Sequence, residues 1–441
     1  MQKNLTTGSV FKNIVTFSVP YLFSYFLQTL YGMADLYITG QFNGSDVITA
    51  VSVGSQVMHM ITVIIVGLAM GTTVLISQSV GANKKDDISL AIGNTITIFA
   101  IFSVLLTAIC LLFADGIVAI MSTPKESLTQ TAAYLRICFI GIPFITAYNV
   151  LSSIFRGMGD SKSPMFFVAV ACVINIFLDY VFIGFMGMTS TGAALGTVVS
   201  QTCSVIFALI SIRKKKMELS LSLRDLKPVS FIYKKILQIG FPVALQDGFI
   251  QISFLIITVI ANRRGVEIAA AVGIVEKIIC FVFLIPSSML SAVSALAAQN
   301  NGAGLHKRAR QTLYYGILIC VFFGSIFSIL CQFFAEPILS RFSDELPVIT
   351  FGSQYLRSYI WDCVFAGIHF CFSGYFCAYN YSVFSFIHNT LAILLVRIPG
   401  TYLTSQLYPD SLFPMGMAAP AGSLFSALIC VVMYWWLRKR N

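Results

Sequence analysis

Twelve long apolar runs constrain this chain more than any other feature. They lie at residues 14–39, 48–78, 88–113, 131–155, 165–186, 192–212, 236–261, 267–298, 310–334, 352–381, 383–408 and 414–437. A spanning helix needs about 20 mostly apolar residues. Backbone groups in lipid must be bonded internally, so the runs predict helices and not open sheet. Composition agrees, with 57% of residues hydrophobic and 10% charged. A soluble domain carries about 25% charged residues to coat itself. The first run is too long, and lacks the cleavage pattern, for a removable signal peptide. Pro20, Pro143, Pro242, Pro286 and Pro399 fall inside runs and predict kinks. The expected fold class is an all-α polytopic membrane protein with twelve transmembrane helices.

The net charge of +10 raises the question of a nucleic-acid partner, and its distribution answers it. With the N-terminus inside, twenty Lys and Arg fall in inner segments, eight of them in 213–235. Four fall in outer loops: Lys125, Arg263, Arg264 and Arg341. Such asymmetry is a topology signal. It predicts a multi-pass protein of the cell membrane with both termini cytoplasmic, and no nucleic acid is needed to explain the basic charge. Eleven cysteines lie scattered, almost all inside runs and without CxxC spacing, so neither a disulfide framework nor a metal site is indicated.

The chain repeats itself. "FADGI" at 113–117 returns as "FAEPI" at 334–338, "YLR" at 134–136 returns at 355–357, and "QSVGA" at 78–82 returns as "QNNGA" at 299–303, all 221 residues apart. Pro20 and Pro242 are 222 apart. One shared offset across four landmarks indicates a duplicated six-helix unit. The expected organisation is two pseudo-symmetric six-helix bundles, 1–212 and 236–441, joined by a cytoplasmic linker at 213–235 that carries "RKKK" at 213–216. Duplicated helical halves that rock against each other are the architecture of secondary transporters. No GxxxxGK[ST], HExxH or GxSxG motif occurs. ATP drive, intramembrane proteolysis and serine hydrolysis are therefore disfavoured, no enzyme is expected, and no cofactor is called for.

Five acids fall inside the runs, away from their first residues: Asp35, Asp179, Asp247, Glu276 and Asp362. An Asp at a helix centre costs about 2.5–3.5 kcal/mol on insertion scales and normally faces a bundle interior or a wet cavity. Asn175 precedes Asp179 by four residues, so the two share a helix face. The first and fifth runs both lead outward, which places Asp35 and Asp179 at similar depth. If their helices are neighbours, the two acids can share one site, and a desolvated carboxylate near another binds a proton readily. The bland alternatives are an interfacial Asp35 and an Asp179 held structurally by Asn175. Asp247, Glu276, Asp362 and Arg397 are second-half candidates for contact with substrate or ion. Under the 222 offset Asn175 falls on Arg397 and Asp35 on Ile257, so the halves differ where charge is concerned. A structural pairing is favoured for Arg397. Histidines 59, 369 and 388 are either proton relays or satisfied core residues.

With those residues in hand, the chain resembles the multidrug and toxic compound extrusion (MATE) family, in particular its bacterial MepA-like and DinF-like branches. The motifs that carry the resemblance are "GMADLYITG" at 32–40, "QSVGA" at 78–82, "FRGMGDSKSP" at 155–164, "NIFLDYVFIG" at 175–184, "GAALGTVVSQ" at 192–201 and "QNNGA" at 299–303. Each is short, and their order and spacing cover nearly the whole length. The resemblance implies cation-coupled efflux of amphipathic, often cationic compounds. It also implies that Asp35, Asn175 and Asp179 match first-lobe proton-site residues. The second lobe departs from the pattern, since "FCAYNYS" at 376–382 stands where "FRGMGDS" stands in the first. Proton coupling is therefore expected, with sodium as the alternative ion.

The leading expectation is a proton-coupled exporter of small amphipathic cations, working as a monomer in the bilayer. The alternative is a flippase for a lipid-linked saccharide from the same broad superfamily. A flippase predicts a strongly cationic cavity, whereas here the membrane acids outnumber the clearly internal bases, Lys277 and Arg397. A receptor or scaffold accounts for neither the duplication nor the five acids.

Overall fold

The computed structural model describes residues 4–121, 123–214, 222 and 224–440. Every regular element among the described residues is helical. The first half runs α1 (Val10–Phe42), α2 (Ser45–Gly81), α3 (Lys85–Leu112), α4 (Ala114–Ile120), α5 (Leu128–Ile140), α6 (Ile142–Gly157), α7 (Lys162–Asp179) and α8 (Ser190–Lys214). The second runs α9 (Ser230–Asn262), α10 (Val266–Val282), α11 (Leu284–Gly302), α12 (His306–Leu339), α13 (Leu346–Tyr359), α14 (Asp362–Ala378), α15 (Ser382–Ala392), α16 (Ile398–Leu407) and α17 (Phe413–Arg440). Part of the expected linker, residues 215–221 and 223, including Lys215 and Lys216, lies outside the described residues.

Among the described residues, eleven spans are long and apolar enough to cross a membrane by themselves. The twelfth is a bent pair, Lys125–Ile140 and Ile142–Gly157, turned by 50°. The run predicted as one helix at 131–155 is thus broken at Gly141. The run at 352–381 is broken as well, at Ile360 and Trp361, between α13 and α14. The prolines divide into two groups. Pro20 and Pro242 sit inside α1 and α9. Pro143, Pro286 and Pro399 lie in the first turns of α6, α11 and α16, where a missing N–H leaves no bond unmade.

The chain forms two compact units, one comprising Val19–Gly240 and the other Leu5–Ser18 with Phe241–Asn441. The boundaries differ from those read in the sequence. The opening segment packs on the second unit, where the Leu5 amide donates to Gln299 Oε1 at 3.1 Å and Arg308 donates to the Gly8 carbonyl at 2.9 Å. The segment before α9 packs on the first: Asn94 donates to the Asp225 carbonyl and accepts from the Val229 amide. Hydropathy cannot anticipate such an exchange of segments, because the boundaries at Ser18 and Gly240 fall inside apolar runs and hydropathy does not say which unit a run packs on.

Within each unit the same local devices recur 221 residues apart. Asn83 and Gly304 adopt left-handed φ of 56° and 71°, and Gly159 and Asn380 adopt 86° and 65°. At each position the chain leaves a helix through the same 6→1 bond, Lys84 N to Ser79 O and Leu305 N to Asn300 O, then Asp160 N to Phe155 O and Tyr381 N to Phe376 O. This is Schellman geometry, which selects Gly or Asn. The ion pair Arg136–Asp115, at 2.9 Å, returns as Arg357–Glu336, at 3.1 Å. Duplication is therefore written in backbone geometry as well as in sequence.

Each unit has its own apolar core. In the first, Ile38, Val51, Tyr134, Leu135, Phe139 and Ala194 are among the buried members. In the second, Ile257, Val275, Tyr355, Tyr359 and Met415 are. Large apolar side chains such as Leu112, Phe185 and Leu428 are exposed. Lipid provides no hydrophobic drive between helices, so small and polar residues gather inside and bulky apolar ones face out.

Candidate functional site

In the first unit three helices bring the sequence-predicted residues together. Asp35 lies in the second half of α1, Asn175 and Asp179 on the last two turns of α7, and Gly196 and Thr197 on α8. Asp35, Asn175 and Asp179 are 3%, 1% and 0% exposed. Asp35 lies against both Asp179 and Asn175, and the Thr197 hydroxyl donates to its Oδ2 at 3.5 Å. One oxygen of Asp35, both of Asp179 and both amide atoms of Asn175 are buried without a well-formed hydrogen bond. Polar atoms of that kind are rare in folded proteins and carry a desolvation penalty of about 1–3 kcal/mol each.

The close packing has a local origin. Gly192 and Gly196 are four apart on α8, the small-residue spacing that lets helices approach in lipid. A Cβ built at Gly196 meets Asp179 Oδ1 and stands 3.6 Å from Asn175 Nδ2. Directly after Asp179 the helix widens into a π-helical segment, Tyr180–Phe185. Such segments frequently accompany functional sites. Gly196, Thr197 and the π-helical segment were not singled out from the sequence, although the Gly192–Gly196 spacing was a signal for the first. Tyr134 lies nearby, bonded to the Ser55 hydroxyl at 3.2 Å.

The second-half candidates do not form one site. Asp247 is half-buried on α9 with Cys377 near it. Glu276, Asp362 and Arg397 are grouped around Tyr355 and Tyr359. Asp362 opens α14 at the helix break, where a first-turn acid is favoured by the helix dipole. Arg397 ends a second π-helical segment, Ile393–Arg397. A cavity of about 50 Å³ is lined by Asp362, His369, Asn389, Arg397, Ser423 and Ser426, among others. His388 is bonded on both ring nitrogens, to Ser426 at 2.6 Å and Ser373 at 2.9 Å, which is the satisfied core arrangement. His369 Nδ1 is buried without a partner.

No His, Cys, Asp or Glu group among the described residues is arranged to hold a metal. The MatE family model matches the chain twice, over residues 20–181 and 242–403. The chain belongs to the MatE family. The two matches start 222 residues apart, at the equivalent prolines. The chain is 27% identical to the probable multidrug resistance protein YoeA of Bacillus subtilis (strain 168), over 98% of this chain and 95% of that one. It is 26% identical to the multidrug export protein MepA of Staphylococcus haemolyticus (strain JCSC1435), over 83% and 81%. The fold is similar to that of a multidrug resistance MATE family transporter solved in an outward-facing conformation, with a TM-score of 0.90, 23% identity and coverage of 99% and 97%. MATE structures hold twelve helices in two bundles, the architecture expected from the apolar runs. The protein is a multi-pass membrane transporter of the MATE family.

Proposed function

We propose that this MATE transporter exports amphipathic, often cationic small molecules in exchange for protons, by alternating access across the cell membrane. Both termini are cytoplasmic in this reading, the working unit is a monomer, and no reaction is catalysed. The observation that carries it is the burial of Asp35 beside Asp179, with Asn175, Thr197 and Gly196 closing the space around them. Two carboxylates so placed cannot both stay ionised at low energy. A bound proton removes one of the two charges, and a cationic cargo favours the ionised form. Cargo and proton then prefer opposite charge states of one unit, which is what couples them. Outward transfer of a monovalent cation opposes an inside-negative potential by about 2.3 kcal/mol per 100 mV, and one inward proton cancels that term. The multidrug relatives supply the substrate class.

The test uses inverted vesicles with an imposed pH gradient, acidic inside. Wild type should take up a lipophilic cation such as ethidium. Asp35→Asn and Asp179→Asn keep size and remove charge, so both should insert and each should abolish the pH-driven uptake. Wild-type uptake persisting in both variants moves coupling to another acid. A wild type that ignores lipophilic cations and binds a lipid-linked saccharide instead replaces export with the flippase reading.

A further inference from the structure

We propose that Arg397 is a tethered cation. It occupies, electrostatically, the place that a free alkali-metal ion would take beside the buried acid Asp362, with the half-buried Glu276 in its field, so the second unit works without Na+. The three residues come from separate elements: Glu276 from α10, Asp362 from the start of α14, and Arg397 from the π-helical segment after α15. Asp362 is fully buried and Arg397 is 8% exposed. Both oxygens of Asp362, Oε1 of Glu276 and Nε of Arg397 are buried without a hydrogen-bond partner. The other Glu276 oxygen accepts only the Thr258 hydroxyl, at 3.5 Å. Asp362 lies beside the Ser423 hydroxyl, and the cation that Asp362 and Glu276 have in common is Arg397.

The guanidinium is held where it is. It donates to the Tyr359 hydroxyl at 2.6 Å and lies 4.8 Å from the centre of the Phe254 ring. Cation–π contact and a phenol bond fix position without neutralising charge. A guanidinium also never loses its proton in proteins, so its charge is permanent. The cavity of about 50 Å³ that Asp362 and Arg397 line with Asn389 and Ser423 has room for a small ion or a few waters. Carbonyl, hydroxyl and carboxylate oxygens suit a hard cation there, and the fixed positive charge opposes its entry. The geometry thus assigns Arg397 a role in ion specificity. This inference rests on the proposed ion-coupled transport for its meaning, but its binding test does not.

The test follows thermal unfolding of the purified full-length protein as NaCl is raised, with choline chloride as the ionic-strength control. Wild type and Arg397→Lys should show no difference between the two salts. Arg397→Met should gain a saturable upward shift with Na+, at least about ten-fold tighter than anything detected in wild type. Adding Asp362→Asn to that variant should remove the shift. A folded Arg397→Met protein indifferent to Na+ overturns the proposal, as does a wild-type Na+ response that Asp362→Asn abolishes. If Arg397→Met does not fold, the wild-type comparison decides alone: no Na+ response upholds the proposal, and a response sensitive to Asp362→Asn overturns it. A chain that exports no drug yet shows the expected pattern refutes the functional reading and leaves this one standing.

Discussion

At position 196 a methyl group would meet the carboxylate of Asp179. The missing side chain lets α8 lie against the carboxylate of Asp179 and the amide of Asn175. Gly196→Ala forces a methyl onto Asp179 Oδ1, an overpacking that costs about 1–3 kcal/mol. We expect a lowered melting temperature and a loss of pH-driven uptake beyond what the loss of folded protein explains. Thr197→Ser keeps the hydroxyl that reaches Asp35, and should retain uptake. Thr197→Val removes it, and should weaken uptake without lowering the melting temperature to the extent of the glycine variant. A Gly196→Ala protein with wild-type stability and uptake contradicts the packing argument. Among the site residues, the acids were legible because charge is costly in lipid wherever it occurs. Gly196 and Thr197 were not, because small and hydroxylated residues are common in membrane helices and carry meaning only through what faces them.

Among the elements, α2 meets the first part of α9 backbone to backbone inside the first unit. A Cβ at Gly71 would strike the Ile236 carbonyl, and one at Gly240 would strike the Leu68 carbonyl. The two glycines thus meet the facing backbone from opposite sides of one crossing. Gly71→Ala and Gly240→Ala should each destabilise by about 1–3 kcal/mol. Gly116 on α4 has nothing within 4 Å of its virtual Cβ, so Gly116→Ala should change stability by no more than about 0.5 kcal/mol. Thermal unfolding in detergent ranks the three, and an equal effect at all of them sinks the crossing argument. The π-helical segments beside Asp179 and Arg397 belong to this scale as well. No composition marks them in the sequence.

At the scale of the whole molecule, placing the N-terminus inside puts twenty cations in inner segments and four in outer loops, which predicts that orientation. A green fluorescent protein fused after Asn441 should fluoresce, since it folds in the cytoplasm. Alkaline phosphatase fused at the same place should be inactive. The reverse pair of results inverts the topology and, with it, the direction in which the proposed exchange runs.

The sequence by itself determined the number of spans, the duplication and the residues worth suspecting. Each is one-dimensional information: hydropathy sums along a segment, a repeat is a fixed offset, and a charge in an apolar run stands out against its neighbours. Tertiary structure alone decided which suspects meet. Asp35 and Asp179 are 144 residues apart in the chain and touch because α1 and α7 converge at α8. Asp247 stays apart from Glu276 and Asp362, although no spacing rule separates them. Structure also decided that residues 5–18 pack with the second unit. Such outcomes follow from side-chain shape at helix contacts, where one glycine or one widened turn sets the distance between backbones, and shape complementarity is a property of pairs that no single segment records.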